Sequence, residues 1–589
     1  MTWTQVIDPF HHLFLSALVA IVPILFIFWA LIIRKMKGYQ ASLLATAAAA
    51  GIAVGVYGMP VKLAFLSAAS GALYGLFPIC WIVITAVFLF NLTVKSGQFE
   101  VIRHFMASVT SDRRIQALVI AFSFGSFLEG MAGFGAPVAI TAAMLVGLGF
   151  NPLYAAGICL IANTAPVAFG SIGIPITVAS QVTSIPEDAI SQMVGRTLPF
   201  LSALLPFYLV VLMAGFKKAK EVAPAAFVCG FSFAGIQWFS SNYLGPALPD
   251  VLAGFGSIIC LIIFLKYWKP RTIWRFPDEG VPVIVTERRY TSGQILRALS
   301  PFIVLTVIVI AWGLPAIKEL LTVKGTLQFP VPGLHNVIRE QNGNGVPHIF
   351  KFNYLSAAGT AILLAALVSI PLVGLSYPQG GRVFGETLWQ LRFPILTIAS
   401  VLAFAYLVND SGITLTIAKG LANTGVLFPL FAPVLGWLGV FITGSDTSAN
   451  ALFGKLQSAT ATSIGVDPVV TVAANVSGGV VGKMISPQSI AVAAAAGGLV
   501  GRESDLFRFT FRHSFFLLFF ICGIVLAQAY LFKWMIPVYR MNGPVIAAAL
   551  ASPGAERAYG YLLALVLVLI ALAVTIRIMT RKKNNADNT

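Results

Sequence analysis

The chain has 589 residues, of which 58% are hydrophobic and only 10% charged, and its mean hydropathy is +0.88. A soluble globular chain carries about 25% charged residues, so a soluble enzyme or binding domain is excluded and an all-α polytopic membrane protein is expected. The formal net charge of +17 does not point to nucleic acid, because the basic residues cluster between apolar runs, at Arg34, Lys35 and Lys37, at Lys217, Lys218 and Lys220, from Lys266 to Arg289, and from Arg577 to Lys583.

Those clusters follow the positive-inside rule, which puts their loops and the C-terminus in the cytoplasm and the N-terminus outside. The first apolar run, 13–33, is long and lacks a small-residue cleavage pattern after it, so it reads as a retained span rather than a signal peptide. With roughly 20 residues per span, about 13 crossings are expected. A β-barrel would show alternating strands of about ten residues, and these runs are apolar on all sides. The five cysteines lie in or beside apolar runs without metal-ligand spacing, so they read as small core hydrophobes.

Residues 1–115 supply the first scaffold spans. Residues 116–180 differ. "SFGSFLEGMAGFGAP" (123–137) holds Glu129 among helix-breaking glycines, and "LIANTAPVAFGSIGIP" (160–175) follows. Scaffold spans return over 181–267. A basic cytoplasmic loop, 268–298, a span, 299–315, and an external Gly/Pro-rich loop, 316–352, divide the chain, and 353–429 adds further scaffold. Residues 430–500 echo the first polar region, with "VFITGSDTSANALFGK" (440–455) followed by "VAANVSGGVVGKMISPQS" (472–489). A span at 501–537 and an extension at 538–589 with an apolar run at 561–576 complete the order.

Paired interruptions in two halves point to a transporter built from structural repeats, inverted repeats being the commoner form. Broken helices survive in a bilayer only where protein or a wet cavity covers their backbone. Re-entrant hairpins and broken helices are therefore expected at 116–180 and 430–500. The backbone of Gly130, Gly133, Gly135, Gly444, Gly478 and Gly479 is expected to line them.

A membrane-centre charge costs about 2.5–3.5 kcal/mol on insertion scales. Glu129 and Asp446, remote from basic neighbours in sequence, are thus candidate proton carriers, or else carboxylates bracing a broken helix end. Lys483 is a candidate partner for an anionic substrate. Asn163, Thr164, Thr443, Ser445, Asn450, Asn475, Ser486 and Gln488 offer the donors and acceptors that a hydroxy acid needs. No metalloprotease, P-loop or nucleophile-elbow motif is present, so neither an enzyme nor a cofactor is expected.

"GSFLEGMAGFGAPVAITAA", "NTAPVAFGSIGIPI", "GWLGVFITGSDTSANALF" and "GGVVGKMISPQSIA" together resemble the bacterial L-lactate permease family, which includes glycolate permease. The resemblance runs from the first span to about residue 537 and is weaker beyond it. It implies a secondary transporter of the bacterial cytoplasmic (inner) membrane that imports L-lactate, D-lactate or glycolate with a proton. A sodium-coupled carboxylate symporter is the alternative, and an anion channel a more distant one. It also implies an elevator-like motion, as in dicarboxylate carriers of the wider ion transporter group, whose Ser-Asn-Thr-like tips "ANTAP" and "SDTSAN" resemble. "AANVSGG" departs from that pattern at Val476. The expected partners are a 2-hydroxy acid, a proton, membrane lipids and, at the scaffold, a second copy of the chain.

Overall fold

The computed structural model describes residues 2–276 and 290–540, apart from residues 35, 132, 134, 314, 342 and 500–501. Among the described residues nine helices are long and apolar enough to cross a membrane, or ten if one bent pair is counted as a span. The count falls short of the about 13 expected at roughly 20 residues per span for identifiable reasons. The run at 561–576 lies outside the described residues. The apolar helices Ala136–Gly147, Ala358–Leu372 and Ile413–Ala422 are too short to qualify. Large apolar side chains such as Phe14, Val61, Phe65, Phe231 and Val307 stand 61–70% exposed, as a lipid-facing surface requires.

The polar segments gather at the two ends. At one end β1 (Trp3–Thr4) runs parallel to β3 (Ile338–Arg339), and β2 (Leu327–Pro330) pairs antiparallel with β4 (Ile349–Phe352). The N-terminal segment and the 316–352 loop therefore share a side. At the other end Arg114, fully buried, is clamped by Asp112 at 2.7 Å and Glu221 at 3.0 Å, and its guanidinium also donates to the carbonyls of Lys218 and Thr272. The described part of the 268–298 loop is thus tied to this second end. The helix Ser292–Gly313 runs between the two ends.

Four interrupted elements occupy the centre. In the first half, α1 (Gly125–Met131) and α2 (Ala136–Gly147) meet at a turn containing Gly133 and Gly135, both at positive φ (53° and 84°). Next come α3 (Pro152–Ala162) and α4 (Gly170–Thr183), the pair bent by 62°. Asn151 caps α3, accepting from the Leu153 amide, and Pro152 follows where its missing N–H costs nothing. Then α5 (Ala223–Tyr243) and α6 (Pro249–Tyr267) pack against one another, and α6 also packs on α1.

The second half holds four helices in a corresponding order. The helices α7 (Phe428–Thr443) and α8 (Asp446–Ser463) meet at Gly444, which ends α7 in the left-handed region (φ 70°). The helices α9 (Pro468–Lys483) and α10 (Pro487–Gly497) are separated by a short break at 484–486. Asp467 and Ser486 cap them, accepting from the amides of Val469 and Ser489. The second arm of each hairpin packs on the second piece of the other half's broken helix, α2 on α10 and α8 on α4. Each half closes the other.

Candidate functional site

Among the described residues of the interrupted helices, two cross-links join the halves. Lys483, the last residue of α9, donates from Nζ to Glu129 Oε1 at 2.5 Å, with both side chains almost wholly buried. Asn163, at the C-terminal end of α3, donates from Nδ2 to Glu129 Oε2 at 3.0 Å. The Glu129 carboxylate is thus held by a cation from one half and an amide from its own. Gly170 permits this approach, since a Cβ there would stand 2.9 Å from Glu129 Oε1.

The second cross-link is neutral. The broken start of α4 places Ser171, Ile172 and Gly173 in the left-handed region (φ 48°, 59° and 75°), a conformation costing roughly 1–2 kcal/mol per non-glycine residue. Beyond the break, the Pro175 carbonyl accepts from Asn450 Nδ2 at 3.2 Å. Asn450 also donates to Asp446 Oδ2 at 3.3 Å and accepts from Asn475 Nδ2 at 2.8 Å. Gln457 donates to Asn475 Oδ1 at 3.1 Å. Asp446 and Asn450 sit on one face of α8, one turn apart, so the chain of amides runs along that helix.

Several buried polar atoms on or beside these helices have no partner among the described residues: Ser126 Oγ, Thr164 Oγ1, Asp250 Oδ2, Asp446 Oδ1 and Ser477 Oγ. An unpaired buried polar atom costs about 1–3 kcal/mol. Native proteins keep few of them, so several on the interrupted helices and their neighbours set this region apart.

The expected residues fall into three groups. Glu129 and Lys483 form the ion pair, with Asn163 donating to it and Thr164 following Asn163 in the chain, while Asp446, Asn450 and Asn475 join in the amide chain. Thr443, Ser445, Ser486 and Gln488 instead shape the breaks. Thr443 Oγ1 donates to the carbonyls of Gly439 and Ser445, and Ser445 and Ser486 cap α8 and α10. Gln488 is exposed and lies against Gly444, where a Cβ would stand 2.4 Å from its Oε1.

Three expectations need correction. Gly130, Gly478 and Gly479 are helical and do not line breaks; they are contact points. A Cβ at Gly130 would stand 2.9 Å from Asp250 Cβ, at Gly478 1.9 Å from the Pro433 carbonyl, and at Gly479 2.1 Å from Asp446 Oδ1. Asn475 likewise lies inside α9, every residue of which is buried, and the second break comes only after Lys483. Lys483, expected to partner an anionic substrate, is paired with Glu129. Asp250 went unnoticed in the sequence. It follows Pro249 at the start of α6, a position that reads as an ordinary helix-start acid, yet it is 1% exposed.

The profile of the L-lactate permease family matches residues 16–532. The chain is 56% identical over 563 residues to the L-lactate permease of Bacillus subtilis (strain 168), covering 91% of this chain and all of the relative. It is 52% identical over 560 residues to glycolate permease GlcA of Escherichia coli (strain K12), with the same coverage. Among solved structures, it is similar to the Neisseria gonorrhoeae efflux pump MtrF with a TM-score of 0.45 and 13% identity, over 87% of this chain and 95% of that one.

Proposed function

Since the chain belongs to the L-lactate permease family, we propose that lactate or glycolate binds at the Glu129–Lys483 pair and is carried with a proton. The protein is a multi-pass secondary transporter of 2-hydroxy monocarboxylates, not an enzyme. The observation that carries the coupling reading is the buried 2.5 Å ion pair between the halves, with Asn163 as its third member.

A substrate carboxylate competes with Glu129 for the Lys483 ammonium. Once displaced, Glu129 is a buried carboxylate without a cation, and taking up a proton removes that cost. Charge balance then holds in both states. Empty, the site contains one anion and one cation. Loaded, Lys483 faces the substrate carboxylate and Glu129 is neutral. Either form crosses the bilayer without net work against the membrane potential, which otherwise costs about 2.3 kcal/mol per charge per 100 mV. In this reading Thr164, whose hydroxyl has no partner among the described residues, and Asn163 take the substrate hydroxyl, while Asp446, Asn450 and Asn475 hold the second hairpin in register.

In this reading the repeats at 116–180 and 430–500 form an inverted pair of re-entrant hairpins and broken helices that moves, elevator-like, against the scaffold. The N-terminus lies outside the cytoplasmic membrane and the basic loop and C-terminus inside. The test is labelled L-lactate uptake into proteoliposomes under an imposed pH or sodium gradient. Accumulation driven by an alkaline interior and indifferent to sodium is expected. Accumulation that needs sodium and ignores pH overturns the coupling.

A further inference from the structure

Asp250 lies beside this site and has no part in the scheme so far. It is 1% exposed. Its Oδ1 takes one long bond, 3.4 Å, from the neutral Gln237 amide on α5, and its Oδ2 has no partner among the described residues. Although it starts α6, its carboxyl does not turn back onto that helix's free amides. It touches α1 next to Glu129, because Gly130 has no side chain to hold the two apart. The charged groups that act on it are Glu129 from α1 and Lys483 from α9.

The pocket therefore holds two carboxyls and one ammonium. Glu129 already has the lysine at 2.5 Å. A charged Asp250 would be a buried anion with no cation of its own and a like charge beside it, and of two carboxyls sharing a site one stays protonated. Asp446, the first residue of α8, differs in its surroundings: Asn450 donates to its Oδ2 at 3.3 Å, and the charged group that acts on it is Lys483, with no second carboxyl among those groups.

We infer that Asp250 is the resting proton store of the transporter, holding a proton while Glu129 is paired to Lys483 and passing it to Glu129 when a substrate carboxylate takes the lysine. The proton leaves the Asp250 carboxyl oxygen and joins a Glu129 oxygen. Asp250, left as the anion, regains a proton from the side of higher proton concentration. One proton then accompanies one substrate when Glu129 releases its own on the far side. This inference rests on the proton-coupled reading above and adds the residue that supplies the proton.

The experiment compares wild type, Asp250→Asn and Asp250→Glu in proteoliposomes, each by lactate counterflow and by accumulation under a pH gradient. Wild type that fails to accumulate lactate under the pH gradient refutes the coupled reading itself. If wild type accumulates, Asp250→Asn should keep counterflow but lose at least tenfold in pH-driven accumulation, and Asp250→Glu should keep both. Asp250→Asn that accumulates like wild type with an unchanged pH profile overturns the inference. A second measurement covers a variant that does not fold: the lactate-induced infrared difference spectrum of wild type carrying carboxyl-13C aspartate. A carboxylic-acid carbonyl band that carries the isotope shift and changes on lactate binding is expected, and absence of any such band overturns the inference.

Discussion

Replacing Lys483 with Met tests the ion pair directly. At 2.5 Å and an effective dielectric constant of about 20, the attraction between the two unit charges is about 7 kcal/mol. Most of that offsets the desolvation of both groups, so the pair adds little net stability over an apolar pair of similar volume. Removing the lysine alone leaves Glu129 buried with only the Asn163 amide, and breaking a buried pair in this way costs about 3–5 kcal/mol. Glu129→Gln combined with Lys483→Met removes both charges and should recover most of that loss. The assay is a denaturant titration in mixed micelles of wild type, both single variants and the double variant, read as a double-mutant cycle. Uptake separates from stability here, because the double variant should be folded and yet transport no lactate. A single variant within about 1 kcal/mol of wild type, against the 3–5 kcal/mol expected, would refute the reasoning. So would a double variant no more stable than Lys483→Met.

Other outcomes follow from the same geometry. Asn163→Leu keeps the volume but removes the donor to Glu129 Oε2; charge-assisted bonds are worth about 1.5–3 kcal/mol, so the KM for lactate uptake should rise at least about tenfold. Gly479→Ala gains up to about 1 kcal/mol of helix propensity but sets a Cβ 2.1 Å from Asp446 Oδ1. The overlap wins, and uptake should fall severalfold with the protein still inserted. Gly478→Ala meets the Pro433 carbonyl at 1.9 Å; backbone cannot swing aside as a carboxylate can, and a melting curve should show a loss of about 1–3 kcal/mol or more. Arg114→Ala leaves Asp112 buried without its cation, so thermal stability should drop by about 3–5 kcal/mol, while uptake per folded molecule stays unchanged.

Much of this site was legible in the sequence because hydrocarbon makes polarity conspicuous. Glu129 and Lys483 each stood out as a charge with no neighbour to neutralise it. Their pairing did not, since nothing local links residues in different halves. The turn at Gly133 and Gly135 and the end of α7 at Gly444 were readable because glycine and a following cap are what such turns need. Gly478 and Gly479 misled for a related reason: a glycine that admits a neighbouring backbone looks the same in sequence as one that ends a helix. The second break is instead marked by Ser486 and Pro487, a cap and the proline that follows it. Asp250 was missed because an acid after a proline at a helix start is commonplace, and only the fold reveals that it is enclosed beside Glu129.

The separation of Glu129 from Lys483 by 354 positions has a consequence for how the protein is made. At about 5–20 residues per second, roughly 20–70 s pass on the ribosome between the synthesis of the acid and of its cation. Over that interval α1 has no ammonium to receive it, and α2 has no α10 to cover it. The nascent first hairpin must wait at the bilayer surface with Glu129 wet, or enter with the acid neutral, until the second half arrives. Assembly of the core is therefore a late event in biogenesis, and a chain cut between the halves would leave its first fragment exposed to membrane quality control.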